Sequence, residues 1–71
     1  MRVSTAQYDA LEAAVREGRR VAVMRRGTEY MVIPARILSV QGRDAIEATH
    51  PTTGDVMRFV LDELDGFEVV R

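Results

Sequence analysis

Apolar positions along this chain recur with two periods, and the change falls at Gly18. Before it, Tyr8, Leu11, Ala14 and Val15 fall on one face at helical spacing, while Asp9, Glu12 and Arg16 face away. Ser4 is placed as an N-cap, with Gln7 three residues on to complete a capping box and Val3 and Tyr8 set as a hydrophobic staple. Gly18 suits the left-handed residue that closes a helix, and Arg16 is favourable in the last turn. The spacing predicts a helix over residues 5–17, after a lead-in from Met1 to Val3.

From Arg19 onward the period is 2, that of a strand. Arg20 to Arg25 reads as a first strand, with Val21 and Val23 on one side and Arg20, Ala22 and Met24 on the other. Arg26-Gly27-Thr28 is a tight turn. Glu29 to Val40 is a long second strand with Met31, Ile33 and Ile37 directed to the core. Pro34 cannot donate to a ladder, so it marks an edge or a bend in that strand. After a turn at Gln41-Gly42 come two alternating runs, Ala45 to Thr49 and Val56 to Leu61. The segment His50-Pro51-Thr52-Thr53-Gly54 between them carries the residues of a hairpin turn. Asp62 to Asp65 reads as one turn of 3₁₀ helix, and Phe67 to Val70 as a last strand.

The expected fold is α+β and mostly β: an N-terminal helix at about 5–17, then a five-stranded antiparallel barrel of the SH3-like or Sm-like kind, as one domain over residues 1–71. The expected core is Leu11, Val15, Val21, Val23, Met31, Ile33, Ile37, Ile46, Ala48, Met57, Phe59, Leu61, Leu64, Phe67 and Val69. Ala22, Met24, Val32, Leu38, Val56, Val60 and Val70 are left on the nominal outer face. Such a surplus marks a subunit interface, or else a strand whose faces are inverted by one residue.

Composition narrows the function classes. Seventy-one residues lie near the lower limit for an independent core, which makes self-association or docking on a partner an expectation. The chain has no cysteine, so neither disulfides nor thiolate metal sites contribute. No apolar run approaches a membrane span, and the charged N-terminus has no signal-peptide core, which favours the cytoplasm. The net charge is −1, unevenly spread: residues 1–36 hold seven arginines against four acids, and residues 37–71 three arginines against seven acids. Every basic residue is arginine, the side chain suited to bidentate anion recognition; an Arg-rich, Lys-free composition also arises from a GC-rich genome.

Catalytic constellations are not found in the sequence. His50, the only histidine, lies in the hairpin turn, with Glu47 and Asp55 too thin a set to make a base or a metal site; it reads as a solvated turn residue. Phosphate-binding glycine motifs are absent, and all five glycines mark element boundaries. Asp62, Glu63 and Asp65 read as a capped turn, without calcium-loop spacing. No cofactor and no metal is expected. The candidate site is a set of arginines, Arg20, Arg25, Arg36 and Arg58, drawn from a group that also includes Arg19 and Arg26, with Tyr30 as a stacking platform. A meander would let Arg20 and Arg36 share the outer face. A merely solvated charged face competes with this reading, because the net charge is not basic.

The run LEAAVREGRRVAV, followed by VIPARIL, GRDAIEA and GDVMRFVLDELDGFEVV, resembles the WYL domain, an Sm/SH3-like barrel of bacterial transcriptional regulators and defence-associated proteins. The likeness spans residues 11–69, with its best points at Gly18-Arg19-Arg20, Pro34, Arg58-Phe59 and Leu61-Asp62. The family's Trp-Tyr-Leu signature falls on Asp44-Ala45-Ile46, and its basic residue after the Leu-Asp pair falls on Glu63; Arg58 is the polar position carried across. The segment Tyr8 to Ala13 is similar to the start of Rof, a Rho-inhibiting family of a helix and an Sm-like barrel that acts by binding another protein. The WYL resemblance implies a non-enzymatic regulatory module contacting nucleic acid or a nucleotide-like ligand. The alternative is a protein-interaction or self-assembling barrel, a homo-oligomer or the binder of a protein partner, using the surplus apolar residues and the acidic turn.

Overall fold

A computed structural model of the protein describes residues 2–70; Met1, in the predicted lead-in, and Arg71, in the C-terminal charge balance, lie outside the described residues. Helix α1 spans Thr5–Glu17, as its sequence signals predict. The Ser4 hydroxyl accepts from the Gln7 amide, and the Gln7 side chain accepts from the Ser4 amide, so two otherwise orphaned donors are satisfied. Gly18 at φ 65° closes the helix, donating to Ala14. Leu11 and Ala14 are fully buried on the inner face, whereas Val15, expected in the core, is half-buried at its margin. Among the described residues no helix is long and apolar enough to cross a membrane.

Five antiparallel strands follow: β1 Val21–Arg25, β2 Thr28–Val40, β3 Arg43–Thr49, β4 Val56–Val60 and β5 Gly66–Val69, with a 3₁₀ turn at Leu61–Glu63. The sheet order is β4-β3-β2-β1-β5. The long β2 belongs to both halves, pairing with β1 through its first part and with β3 through its second. The ladders place β4 and β5 at the two ends of this order, and barrel closure lies outside the pairing they establish.

The hairpins β1–β2 and β2–β3 turn on two residues each, Arg26-Gly27 and Gln41-Gly42, all four at positive φ. This is the type I′ geometry, whose twist matches that of the flanking strands. Glycine at the second position removes the penalty an L side chain meets there.

The face of β2 differs from expectation. Tyr30 pairs with Val23 and Val32 with Val21, and both valines are buried, so the even-numbered residues of β2 face the core as far as Pro34. Val32 is 1% exposed; Met31, expected inside, is 40% exposed, and Ile33 is half-buried outside the core cluster. Between Pro34 and Arg36 the register shifts by a bulge, and beyond it the odd-numbered Ile37 opposes the buried Ile46. Met31, Ile33 and Ile37 share one parity, so a strand whose phase resets midway cannot direct all three inward.

Leu11, Val21, Val23, Val32, Ile46, Phe59, Leu61 and Leu64 form a single core, drawing on α1 and on both halves of the bent sheet. Met57, Phe67, Val69 and Ile37 pack against it. Leu38, Ala45 and Val60 stand in one cross-strand row whose middle member is fully buried, which accounts for two of the surplus apolar residues. Met24 lies across Gly66, its terminal carbon 3.4 Å from where a β-carbon would stand.

Two substitutions test this register. Val32→Ala removes buried methyl groups and is expected to cost roughly 2 kcal/mol, against less than about 1 kcal/mol for Met31→Ala, in urea unfolding; equal costs would contradict the face assigned to β2. Gly42 has open space around a would-be β-carbon and φ 78°, so Gly42→Ala carries only the backbone penalty, about 1–2 kcal/mol, measured in the same titration.

Candidate nucleic-acid interface

The bulge at Pro34 puts Arg36 on the outer face, and the register then aligns it with two charged neighbours. Arg36 on β2 pairs with Glu47 on β3, which pairs with Arg58 on β4. Directly opposed residues on neighbouring strands hold their side chains on the same face, within reach of one another. The Arg36 Nε donates to Glu47 Oε2, and Arg58 Nη2 lies 3.8 Å from Glu47 Oε1. The guanidinium side chains are 66% and 52% exposed, and the carboxylate between them only 18%. The row thus presents two cations outward over one recessed anion.

The Arg36 hydrogen bond holds the Glu47 carboxyl below its ordinary value of 4.5; partial desolvation opposes this, and the charges of Arg36 and Arg58 add to it. The ionised form is therefore favoured in the folded state.

Other predicted site residues lie elsewhere. Arg25 belongs to the same strand face as Val21 and Val23, and its guanidinium lies 5.0 Å from the Phe59 ring centre and 5.5 Å from that of Tyr30. The two rings are 5.5 Å apart at 53°. Arg25 thus caps the aromatic end of the core by cation–π contact. Tyr30, expected as an open stacking platform, packs half-buried against the core, next to Phe59 and beneath Arg25. Arg20 sits exposed before β1, its carbonyl accepting from the Val70 amide at 2.8 Å. Its backbone is joined to the end of β5, whereas Arg36 lies beyond the bulge and pairs with β3.

Arg16 is a cation that the helical pattern gave no reason to place with the sheet. It lines a shallow groove with Tyr8, Glu12, Val15, Arg36 and Ile37, between α1 and the second half of β2. The spacing of Tyr8, Glu12, Val15 and Arg16 is visible in the sequence, but Arg36 joins them only through the bulge.

Polar residues elsewhere have structural uses. His50 Nδ1 accepts from the amides of Thr52 at 3.1 Å and Thr53 at 3.2 Å, so the expected solvated histidine organises its own turn. Asp65 accepts from the Gly27 amide at 3.1 Å and donates through its own amide to Met24, tying the start of β5 to the β1–β2 hairpin. Arg43 lies 3.5 Å from Asp62 and 3.7 Å from Glu63. Among the described residues no group of three or more His, Cys, Asp or Glu is placed to hold a metal ion.

Sequence comparison with family models and with curated proteins gives no match. Among solved structures the chain is similar to the proteasome accessory factor B/C, PafBC, of Arthrobacter aurescens, with a TM-score of 0.73 and 27% identity. The match covers 97% of this chain and 12% of PafBC, so the chain spans about an eighth of that protein's length. PafBC is a WYL-domain-containing regulator, and the likeness supports a WYL-like relationship. It gives no support to the Rof resemblance.

The Arg36–Glu47–Arg58 row generates a pH prediction. Because the folded state lowers the Glu47 pKa, the row's contribution to stability is present above the ordinary glutamate range and is lost as pH falls through the lowered value. Thermal unfolding followed from pH 7 to pH 2 should therefore show a smaller acid loss for Glu47→Gln than for the unsubstituted chain, and the same loss in both would remove Glu47 from the acid limb.

Proposed function

We propose that this chain is a non-enzymatic, WYL-like regulatory binding module of the cytoplasm, and that it contacts single-stranded nucleic acid or a nucleotide-like ligand through Arg36 and Arg58. The observation that carries this reading is the convergence of those two guanidiniums on Glu47, with their outer edges exposed. A planar guanidinium pairs with a phosphate through two parallel hydrogen bonds. Arg58 is also the polar position shared with the WYL pattern. The likeness to PafBC over 97% of the chain favours a regulator over an enzyme.

Aromatic stacking has little part in this reading. The positions of the family's Trp-Tyr-Leu signature hold Asp44, Ala45 and Ile46, of which the last two are fully buried, and Tyr30 is packed against Phe59. Affinity therefore rests on phosphate contacts, and sequence preference is expected to be slight. Arg20 and Arg25, apart from the row, are left outside the contact.

Titration with short single-stranded DNA and RNA at rising salt tests the proposal. Affinity should fall linearly with salt on logarithmic axes, and Arg36→Ala and Arg58→Ala should each flatten the slope by about 0.7, the value for one phosphate contact on a single strand. Absence of binding at low ionic strength would overturn the reading.

A further inference from the structure

Arg36 belongs to two arrangements at once. It bonds Glu47 in the cross-strand row, and it lines the α1–β2 groove with Arg16. Three guanidiniums from three elements therefore follow one another over the surface: Arg16 on α1, Arg36 on β2 and Arg58 on β4. We propose that this is the track of an extended phosphodiester backbone, with Glu47 as a resident competitor for the ligand's charge. The proposal rests on the nucleic-acid reading above and adds a path, a helix residue and a limiting residue to it.

Strands in a sheet are about 4.8 Å apart, so Arg36 and Arg58, separated by β3, stand roughly 10 Å from each other along the sheet. Their exposed edges can each take a phosphate. A backbone spanning them passes over the Glu47 carboxylate, which is recessed between them and already engaged by both. Like charges at that range repel, and exposure of the ligand side screens the repulsion only in part. The carboxylate holds the two guanidiniums in place at the cost of weakening what they bind. In the other direction the groove continues the track: Tyr8, Val15 and Ile37 offer apolar contact to sugar or base, and Arg16 supplies the next cation. Glu12, which also lines the groove, opposes an anion there and leaves Arg16 and Arg36 to outweigh it. Arg20, whose backbone is bonded at Val70, lines neither the groove nor the Glu47 row and is left out of the track.

The test uses fluorescein-labelled (dT)12 and the full chain, with circular dichroism to verify the fold of each variant. Glu47→Gln keeps an oxygen for Arg36 but removes the charge; affinity is expected to rise about tenfold at low salt, with the slope steeper by about 0.7. Arg16→Ala is expected to flatten the slope by about 0.7, Arg16→Glu to weaken binding further, and Arg20→Ala to change neither slope nor affinity. If the unsubstituted chain and Glu47→Gln both fail to bind at low ionic strength, the nucleic-acid reading falls and the track with it. If the unsubstituted chain binds and Arg36→Ala weakens it, but the Arg16 variants match the parent, the track is wrong while the reading stands. Unchanged or weaker binding by Glu47→Gln would show that the carboxylate assists the ligand, which overturns its role as competitor.

Discussion

The bulge between Pro34 and Arg36 is the constraint on which the rest of the sheet depends. Ahead of it, the even-numbered residues Tyr30, Val32 and Pro34 face inward against β1 and β3. Without a reset, Arg36 would continue that face and carry a guanidinium into the apolar core, where an unpaired charge costs several kcal/mol. The extra residue turns Arg36 out and Ile37 in. One local irregularity thus decides the second half of the core and the charged row together. Pro34 suits the site because it has no amide proton to offer a ladder.

Local signals were legible in the sequence, and non-local ones were not. The bounds of α1 follow from side chains within a few residues of each end: Ser4 with Gln7, and Gly18. The two type I′ turns are marked by their Gly27 and Gly42. The face of β2 had no such marker. Met31, Val32 and Ile33 are consecutive and apolar, so alternation is silent there, and the choice falls to the pairing of Val32 with Val21. The same holds for the site. Arg36 and Arg58 were recognisable as candidates, but their convergence on Glu47 is a matter of register across three strands. Arg20 has no partner in that register: its backbone is bonded at Val70, and Arg36 is opposed by Glu47. The parity that puts Met31 inside also turns Tyr30 outward, and the pairing of Tyr30 with the buried Val23 inverts both residues.

The division of charge along the chain also changes meaning in three dimensions. An N-terminal excess of arginine and a C-terminal excess of acid would, in a chain laid out in order, give opposed patches. The antiparallel ladders instead interleave them: Glu47 lies between Arg36 and Arg58, and Arg43 lies near Asp62 and Glu63. Ion pairs whose guanidiniums stay open to solvent contribute too little to hold the fold. Their larger effect is to fix where the guanidiniums point.

Net charge is consequently a poor guide to how this surface would meet a polyanion. A polyanion approaching the chain would meet a molecule whose net charge is −1. It meets a short line of cations whose positions are set by α1, β2 and β4 and whose field is reduced by Glu47 and Glu12. Steering from a distance is weak under those conditions, and screening at physiological salt weakens it further. Contact energy must then come from close pairing of guanidinium with phosphate, which is short-ranged and directional. A ligand held in that way would be selected by the spacing of its charges rather than by their number, a spacing matched to the geometry of β2, β3 and β4 on the outer face of the sheet.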